Sequence, residues 1–290
     1  MNKTLVLLAA GKGSRFGGLK QLQTFQPQNA TLAEFAIWDA LQAGFDHFVA
    51  IVSEETHSDF ERIFQKLNLQ NCSTCILQTC CEAPISSRTK PWGTGHALYC
   101  ARHAIHTPFV IVNGDDFYGQ SAYRLAAEFL ERNSNDFALI GYPLGKTLSE
   151  NGYVSRALCT LENHQVIALN ECLNIQRING KIVSTQDKKQ TFLDDKALVS
   201  MNFWILQPSI LEHLETAWGK FLEHLTDPLK QEFYLPVAIQ NIAQKNSISI
   251  KLIENVSDHW LGITYANDVD KVQKTLLELT ETHYYPKSFK

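Results

Sequence analysis

The chain has 290 residues, of which 44% are hydrophobic and 10% aromatic, enough for a sizeable folded core. Its formal net charge of -4 excludes the strongly basic surface expected of a protein that binds duplex nucleic acid. The sequence has no run of about 18 apolar residues and no secretory signal pattern, and its 7 cysteines lack the spacing of a disulfide framework. We therefore expect a cytoplasmic protein without a membrane span.

The first predicted element is a buried strand over residues 5–8, which leads through Ala9 and Ala10 into a glycine-rich turn. Open α/β sheets bind ligands at the carboxyl ends of their strands, and glycines let backbone N–H groups approach an anion there. Two cations in the turn, Arg15 and Lys20, would add charge for phosphate oxygens. The glycines of this turn are Gly11, Gly13, Gly17 and Gly18. The pattern predicts a phosphate-binding loop.

Other glycine loops fit this turn less well. A dinucleotide-binding fingerprint would need glycine at the position of Phe16, which disfavours a dehydrogenase. A P-loop that starts at Gly13 reaches Gly18 but has Leu19 where its lysine belongs. An ordinary surface turn with solvated cations is the structural alternative.

Alternating strands and helices are predicted through residue 142. Thr31 is a fair N-cap with Glu34 as its capping-box partner, so a helix is expected to end near residue 43. The order of the next elements is typical of the start of a doubly wound sheet. They are a strand at 46–53, a helix at 55–67, a strand at 74–78, a helix ending near 104, a strand at 109–112, a helix ending near 132 and a strand at 136–142.

Short strands dominate after residue 152. The predicted elements are strands at 154–161, 166–170, 197–206 and 247–253, helices at 208–225, 235–244 and 266–282, and a loop or weak hairpin over 179–196. No internal repeat or low-complexity linker interrupts the chain, so we expect one domain over residues 1–290.

Two acidic residues, Asp115 and Asp116, directly follow the apolar strand at 109–112. Buried carboxylates need partners, and at the end of a strand opposite a phosphate loop they suit Mg²⁺, which binds carboxylate and phosphate oxygens. The structural alternative is an N-cap for the helix that follows, since Asp is favoured at that position. The pair predicts a metal site facing the glycine-rich turn.

A second glycine-containing segment, Gly93-Thr94-Gly95, opens the helix that ends near residue 104. Two residues without Cβ would let the backbone approach a ligand closely, and the Thr94 hydroxyl could donate or accept a hydrogen bond. The alternative is a glycine-initiated helix with a solvated His96. By itself this segment is a weak motif, and its position after the first loop strengthens it.

Taken in order, these motifs resemble the GT-A-like nucleotidyltransferases, a family that includes the sugar-1-phosphate pyrophosphorylases. The resemblance starts from the loop signature LAAGKGSR and covers most of the chain, through the runs GGLKQL, KPWGTGHA, DDFYG, LVSMNFW and EFYLP. It implies an α/β fold with a Rossmann-like, doubly wound mixed sheet in a single elaborated domain. It also implies that residues 1–150 bind the nucleotide and residues 151–290 bind the acceptor.

The resemblance implies a role for each matching residue. Arg15 and Lys20 would be catalytic, and Asp115 would bind Mg²⁺. The residues implied to bind the nucleotide are Leu8, Ala9, Ala10, Gly11, Gly13, Ser14, Gln78, Gly93, Thr94, Gly95 and Asn113. The residues implied to bind the acceptor are Asp116, Tyr118, Gly152, Glu171, Asn202 and Glu232.

The chain departs from the family pattern at two positions. The family's Glu-Lys pair becomes Glu171-Cys172, so the lysine for the acceptor phosphate is missing, and Arg156 and Arg177 are the candidates to replace it. The family's second metal-binding Asp corresponds to Gly262. Asp258 is the nearby upstream carboxylate that could substitute as a metal ligand, with an ordinary loop acid as the alternative.

The resemblance implies transfer of a nucleoside monophosphate from an NTP to a phosphorylated acceptor, with a sugar 1-phosphate preferred, pyrophosphate as product and Mg²⁺ as cofactor. We expect no nucleic-acid or membrane partner, and the oligomeric state is open. One alternative is a cytidylyltransferase for a choline-phosphate-like acceptor, held in a cage of Trp92, Trp204 and Trp260. Another is a non-catalytic nucleotide-binding regulator, which Gly262 favours.

Overall fold

Strands and helices alternate through the first half of the chain, and strands dominate its middle. The computed structural model describes residues 2–11, 20–79, 88, 90–132, 134–186 and 189–289. The strands in these residues are β1 (Thr4–Ala9), β2 (Thr24–Phe25), β3 (Ala30–Thr31), β4 (His47–Val52), β5 (Ser73–Leu77), β6 (Phe109–Asn113), β7 (Asp116–Phe117), β8 (Phe137–Pro143), β9 (Val154–Glu162), β10 (Gln165–Ile178), β11 (Lys181–Gln186), β12 (Lys189–Leu193), β13 (Leu198–Leu206), β14 (Ile250–Glu254) and β15 (Leu261–Gly262).

Seven α-helices connect the strands in the same described residues. They are α1 (Leu32–Gln42), α2 (His57–Lys66), α3 (Thr94–Ala101), α4 (Gln120–Glu131), α5 (Ser209–Glu223), α6 (Leu235–Lys245) and α7 (Asp268–Glu281). Short 3-10 turns lie at Lys20–Leu22, Arg102–Ala104 and Leu144–Lys146. Of the helices that are described, none has the length and apolar character needed to cross a membrane.

Eleven strands form one mixed sheet, in the order β12-β11-β10-β14-β8-β13-β6-β1-β4-β5, with β9 paired to both β10 and β13. Strand β1 is parallel to β4 and β6, and β4 is parallel to β5. Strand β13 lies between β6 and β8 and is antiparallel to both. The predicted doubly wound mixed sheet is confirmed. The predicted weak hairpin over 179–196 is also confirmed, because β11 and β12 pair there.

Both faces of the sheet are covered by helices, which explains why β1 is apolar from Leu5 to Ala9. Leu5 and Leu7 point to one face, where they join a core cluster with residues of α1, α2 and α4. Val6 points to the other face, into a cluster with residues of α3, α5 and α6. Alternate residues of a strand face opposite sides, so one short strand contributes to two cores.

A third apolar cluster fixes the end of the chain against the outer side of α1. The ring of Phe35 makes edge-to-face contacts with Tyr285 and Phe289 at centroid distances of 5.1 and 4.8 Å. The Tyr285 hydroxyl donates to Oδ2 of Asp39 at 2.7 Å, and burial raises the pKa of Asp39 well above its usual range. The predicted capping box of Thr31 and Glu34 starts α1. Together these contacts place α7 and the last residues beside the first helix.

Candidate functional site

The carboxyl ends of β1 and β6 lie side by side and hold the two predicted loops together. The N–H of Gly114 donates to the carbonyl of Leu8 at 2.9 Å. A Cβ at position 114 would come within 3.2 Å of that carbonyl oxygen, so glycine permits this close approach. The turn that carries Asp115 and Asp116 is therefore fixed beside the beginning of the glycine-rich loop.

Only the first part of the predicted phosphate loop is described. Leu8 is half-buried, Ala9 and Ala10 are buried, and Gly11 is exposed at the end of β1. The carbonyl of Gly11 accepts a hydrogen bond from the side chain of Gln21. Gly13, Ser14 and Arg15 lie outside the described residues, as does the side chain of Lys20. Their roles remain predictions.

A chain of side-chain hydrogen bonds crosses from β13 to β6 and ends on Asp116. The indole N–H of Trp204 donates to Oδ1 of Asn202 at 3.0 Å. Nδ2 of Asn202 donates to Oδ1 of Asn113 at 2.7 Å, and Nδ2 of Asn113 donates to Oδ2 of Asp116 at 2.9 Å. Each amide is thus held at both ends, which fixes the orientation of the Asp116 carboxylate.

The backbone at Asn202 explains how its side chain reaches β6. Its φ is +62°, a left-handed conformation that asparagine tolerates better than most residues. The pairing of β13 with β8 shifts register between Ser200 and Trp204, on either side of Asn202. An irregularity of this kind re-aims a side chain within a strand.

A cavity of 350 Å³ opens at this edge of the sheet, with the Asn113–Asp116 turn on one side and residues of β9, β13 and β15 on the other. It is lined by Thr94, Asn113, Asp116, Ser155, Arg156, Ala157, Ser200, Met201, Asn202, Tyr234, Pro236, Trp260, Gly262, Ile263 and Thr264. Four of these were predicted as site residues: Thr94, Asn113, Asp116 and Asn202. The cavity is lined by polar and apolar residues alike, and its walls come from both the first and the second half of the chain.

These features can be compared with known proteins. The family model described as Nucleotidyl transferase matches residues 4–217, which is well over half of the chain. The chain belongs to the Nucleotidyl transferase family. It is therefore a nucleotidyltransferase, as its motifs predict.

Two solved structures share the fold of this nucleotidyltransferase at low sequence identity. The inositol-1-phosphate CTP transferase from T. maritima has a TM-score of 0.67 and 14% identity, with 97% of each chain covered. A Bacillus anthracis protein assigned as a glucose-1-phosphate thymidylyltransferase, solved with sucrose, has a TM-score of 0.64 and 11% identity, with 94% of each chain covered. Comparison with curated protein sequences gives no match. The structural likeness shows the fold.

The glycines that begin α3 are required by the packing of the protein itself. A Cβ at Gly93 or Gly95 would come within 2.8 Å of the carbonyl oxygen of Phe233, and φ of Gly93 is +99°. The N–H of Gly95 donates to that same carbonyl at 2.8 Å. The volume that a Cβ would need at either position is thus filled by Phe233, and the predicted contact of this turn with a nucleotide stays a prediction. Gln78 supports this turn by donating to the carbonyl of Gly93 at 2.9 Å.

Tyr118 is not an acceptor contact in this nucleotidyltransferase, because it is only 1% exposed. Its hydroxyl donates to the carbonyl of Met201 at 2.9 Å and accepts from the N–H of Asn113 at 3.2 Å. Burial raises the pKa of Tyr118 well above its usual range, so the phenol stays protonated. Through these two hydrogen bonds the Tyr118 hydroxyl links Asn113 to Met201 of β13 and holds the turn after β6 in place.

The other predicted acceptor residues lie away from the cavity lining. Gly152 packs against Tyr265, where a Cβ would be 2.6 Å from the ring and its hydroxyl. Glu232 forms an ion pair with Lys90. Glu171 is exposed on β10, opposite Ala157 of β9. Among the described lining residues none of the three predicted ones appears, so their assignment rests on the family resemblance alone.

Asp258, predicted as a substitute metal ligand, caps a helix instead. Its Oδ2 accepts from the N–H of Ser121 at 2.6 Å, in the first turn of α4, and its Oδ1 accepts from the Tyr284 hydroxyl at 2.8 Å. A carboxylate at this end of a helix is stabilised by the unpaired N–H groups there. Both oxygens are committed to structure, which corrects the prediction.

Without Asp258, the carboxylate of Asp115 and the phosphate oxygens of a bound substrate are the donors that would hold Mg²⁺. Asp115 is half-buried in the turn after β6. Gly262 pairs with Asp116, and a Cβ there would lie 2.9 Å from Oδ1 of Asp116, so that strand offers no second carboxylate. The described residues contain no cluster of three or more His, Cys, Asp or Glu arranged to hold a metal. One carboxylate together with substrate phosphates is a donor set that Mg²⁺ accepts.

The predicted aromatic cage for a quaternary ammonium is not formed. Trp92 and Trp204 are both 0% exposed and belong to the core cluster on one face of the sheet. Of the three tryptophans, Trp260 alone is among the residues described as lining the cavity. A single ring does not make a cage, so the cavity gives no support to a choline-phosphate-like acceptor.

Proposed function

We propose that this nucleotidyltransferase transfers a nucleoside monophosphate from an NTP to the phosphate of a sugar or polyol phosphate, with Mg²⁺ as cofactor. The observation that carries the proposal is the cavity at the carboxyl end of β6, where Asn113, Asp116 and Asn202 are linked by hydrogen bonds. Amide and carboxylate groups fixed in this way suit the hydroxyl groups of a polyol, which donate and accept hydrogen bonds.

The two structural neighbours support the class of acceptor. One is described as acting on inositol 1-phosphate and the other as acting on glucose 1-phosphate. Both acceptors carry one phosphate on a polyhydroxylated six-membered ring. A cavity of 350 Å³ is at the lower end of the volumes that hold small ligands, which is consistent with a single ring of this size.

The reaction needs positioning and charge neutralisation rather than a general base. An oxygen of the acceptor phosphate attacks the α-phosphorus of the NTP in line. The bond from that phosphorus to the oxygen bridging to the β-phosphate breaks, and pyrophosphate leaves with the electron pair. Because the attacking phosphate is already an anion, no proton has to be removed first.

In this proposal the two halves of the site have separate tasks. Arg15, Lys20 and the backbone N–H groups of the glycine-rich loop hold the triphosphate. Asp115 would hold Mg²⁺ together with phosphate oxygens, and Mg²⁺ would neutralise charge on the triphosphate when bound. Asn113, Asp116 and Asn202 orient the hydroxyl groups of the acceptor.

A pyrophosphate-release assay tests the proposal directly. Each common NTP is incubated with glucose 1-phosphate, inositol 1-phosphate or phosphocholine, with Mg²⁺ or with a chelator. We expect pyrophosphate with at least one NTP and a ring phosphate, dependent on Mg²⁺. Preference for phosphocholine would refute the acceptor class, and no pyrophosphate with any pair would favour a nucleotide-binding regulator.

A matched pair of variants links the activity to the cavity. Asp116→Asn removes a buried charge that lines the cavity, whereas Asp195→Asn removes an exposed one that pairs with Arg177 at 2.7 Å. We expect the first to lower pyrophosphate release and the second to leave it unchanged. Equal activity in both variants would remove Asp116 from the proposed site.

A further inference from the structure

The acceptor cavity contains one cation among its described lining residues, Arg156 of β9. Asp116 is the one acidic residue in that lining. The Cζ atom of Arg156 lies 4.9 Å from the centre of the Trp260 ring, a cation–π arrangement. An acceptor that brings a phosphate into this cavity therefore meets a guanidinium group supported from one side by an aromatic ring.

Gly262 makes room for this arrangement. A Cβ at position 262 would be 2.3 Å from Cη2 of Trp260 and 2.4 Å from its Cζ2. The indole ring thus occupies the volume in which the side chain of residue 262 would begin. The glycine that replaces the family's metal-binding Asp, the tryptophan and the arginine form one packed unit: the glycine admits the ring, and the ring supports the guanidinium.

The hydrogen bonds of Arg156 leave part of its guanidinium unused. Nη1 donates to the carbonyl of Ser155 at 2.8 Å, and Nη2 donates to the carbonyl of Thr147. Nε is buried and has no hydrogen-bond partner in the part of the chain that the structure describes. A buried N–H without a partner costs free energy, so the protein holds this guanidinium in place without satisfying all of its donors.

The charge of Arg156 is also incompletely balanced. Burial lowers the pKa of Arg156 to about 10, although Asp116 and Asp268 act in the opposite direction. Burial disfavours the charged form, so the surrounding carboxylates do not fully offset the loss of water. A phosphate dianion beside the guanidinium would offset it.

The other candidate for the missing lysine is already engaged. Arg177 is exposed, and its Nη1 pairs with Oδ2 of Asp195 at 2.7 Å. It donates a second bond to Oδ1 of Asp195 at 3.1 Å, so its planar fork is filled by one carboxylate. Arg177 does not belong to the described lining of the acceptor cavity.

We propose that Arg156, supported by Trp260, binds the phosphate of the acceptor. This inference rests on the proposed function, since it names the residue that recognises the acceptor at the same site. In this chain Arg156 of β9 would thus supply the positive charge that the family supplies with the lysine of its Glu-Lys pair. A guanidinium presents N–H groups in a plane that matches phosphate oxygens, so it is suited to this task.

The inference can be tested by measuring phosphate binding and acceptor kinetics in two variants, Arg156→Gln and Arg156→Lys. Arg177→Gln is the matched control. Calorimetry uses inorganic phosphate as the probe, with a non-hydrolysable NTP analogue present to fill the nucleotide loop. We expect Arg156→Gln to weaken phosphate binding about 10- to 100-fold, the usual effect of losing a hydrogen bond to a charged group, and Arg177→Gln to leave it unchanged. Arg156→Lys keeps the charge but lacks the planar fork, so its phosphate affinity should lie between those of the wild type and Arg156→Gln.

The kinetic readout separates phosphate binding from a purely structural role. With the acceptor found by the pyrophosphate assay, Arg156→Gln should raise KM for the acceptor and leave KM for the NTP unchanged. A folded Arg156→Gln protein that binds phosphate as the wild type does would overturn the inference. If Arg156→Gln does not fold, Trp260→Leu replaces it, and unchanged phosphate binding in that variant would overturn the inference equally.

The calorimetric measurement distinguishes a failure of this inference from a failure of the proposed function. If no acceptor is turned over but phosphate binding depends on Arg156, the proposed reaction fails and the anion site stands. If pyrophosphate is released but KM for the acceptor is the same in Arg156→Gln and Arg177→Gln, the reaction stands and the assignment of Arg156 fails.

Discussion

Asn202 donates a 2.7 Å hydrogen bond to Asn113 across 89 positions of the chain, and this bond joins β13 to the end of β6. Asn113 is the last residue of β6, whereas Asn202 lies in the antiparallel strand β13. The bond holds Asn113 in the orientation from which its amide donates to Asp116. The orientation of the Asp116 carboxylate therefore depends on a residue of β13.

Removal of the Asn202 side chain tests that dependence. In Asn202→Ala, the buried indole N–H of Trp204 loses its acceptor, and alanine must adopt a φ of +62°. We expect the free energy of unfolding to fall by about 1–3 kcal/mol, together with lower pyrophosphate release. Asn202→Gly removes the same amide but tolerates the backbone, so its loss of stability should be smaller. Equal denaturation midpoints for the two variants would show that the backbone conformation contributes nothing.

Substitution of Gly262 tests the packed unit beneath Arg156. Gly262→Ala places a Cβ 2.3 Å from Trp260, so the ring has to move. We expect a loss of about 1–3 kcal/mol in the free energy of unfolding and a shift in tryptophan fluorescence. The control is Gly219→Ala in α5, where a Cβ meets nothing within 4 Å, and where alanine should be neutral or stabilising. Unchanged fluorescence in Gly262→Ala would contradict the contact with Trp260.

Asp258 gives a test that separates a capping role from a metal-binding role. Asp258→Asn removes a charge beside the first turn of α4 and weakens the contact with Tyr284. We expect the free energy of unfolding to fall by about 1–2 kcal/mol, while the Mg²⁺ concentration that gives half-maximal activity stays the same. Asp195→Asn, at an exposed ion pair, is the control for charge. A clear rise in the Mg²⁺ requirement of Asp258→Asn alone would restore the metal-ligand assignment.

The pH dependence of stability can be predicted for Asp268, which begins α7. Burial raises its pKa, but hydrogen bonds from Asn151, Ser149 and the N–H groups of Tyr265 and Thr264 outweigh burial and leave the pKa below its usual 3.8. A depressed pKa stabilises the folded state above pH 3.8, and this contribution disappears as the pH falls through the lower folded value.

The difference in unfolding free energy between wild type and Asp268→Asn should therefore be largest near neutral pH and shrink below pH 3.8. Urea denaturation at a series of pH values measures it. A difference that stays constant from neutral to acidic pH would mean that the charge of Asp268 does not stabilise the loop that carries Thr264.

Local patterns were sufficient to predict most of the elements. The apolar strand at 109–112, the capping box of Thr31 and the alternation of strands and helices all depend on residues close together in sequence. The position of a strand within the sheet cannot be predicted from such local patterns. That β13 lies between β6 and β8 depends on pairing between distant segments, and no periodicity in residues 198–206 indicates which strands it joins.

In the candidate site, too, local motifs could be predicted, whereas long-range contacts could not. Asn113, Asp116 and Asn202 follow motifs that could be recognised in sequence, and the structure brings them together. Tyr118 and Asp258 belong to similar stretches, yet their roles depend on partners 83 and 137 positions away, Met201 and Ser121. For Gly93 the need for glycine was evident, but its cause, the Phe233 carbonyl, lies in a later segment.

The central place of β13 has a consequence for how the polypeptide is made. During synthesis, β6 and β8 leave the ribosome long before residues 198–206, and until then the edges that these strands will share with β13 expose unpaired backbone groups. Such late closure between distant segments slows folding and leaves the nascent chain open to aggregation. A cut near residue 150 would separate β6 and β8 from β13, so each of the two fragments would hold an incomplete sheet.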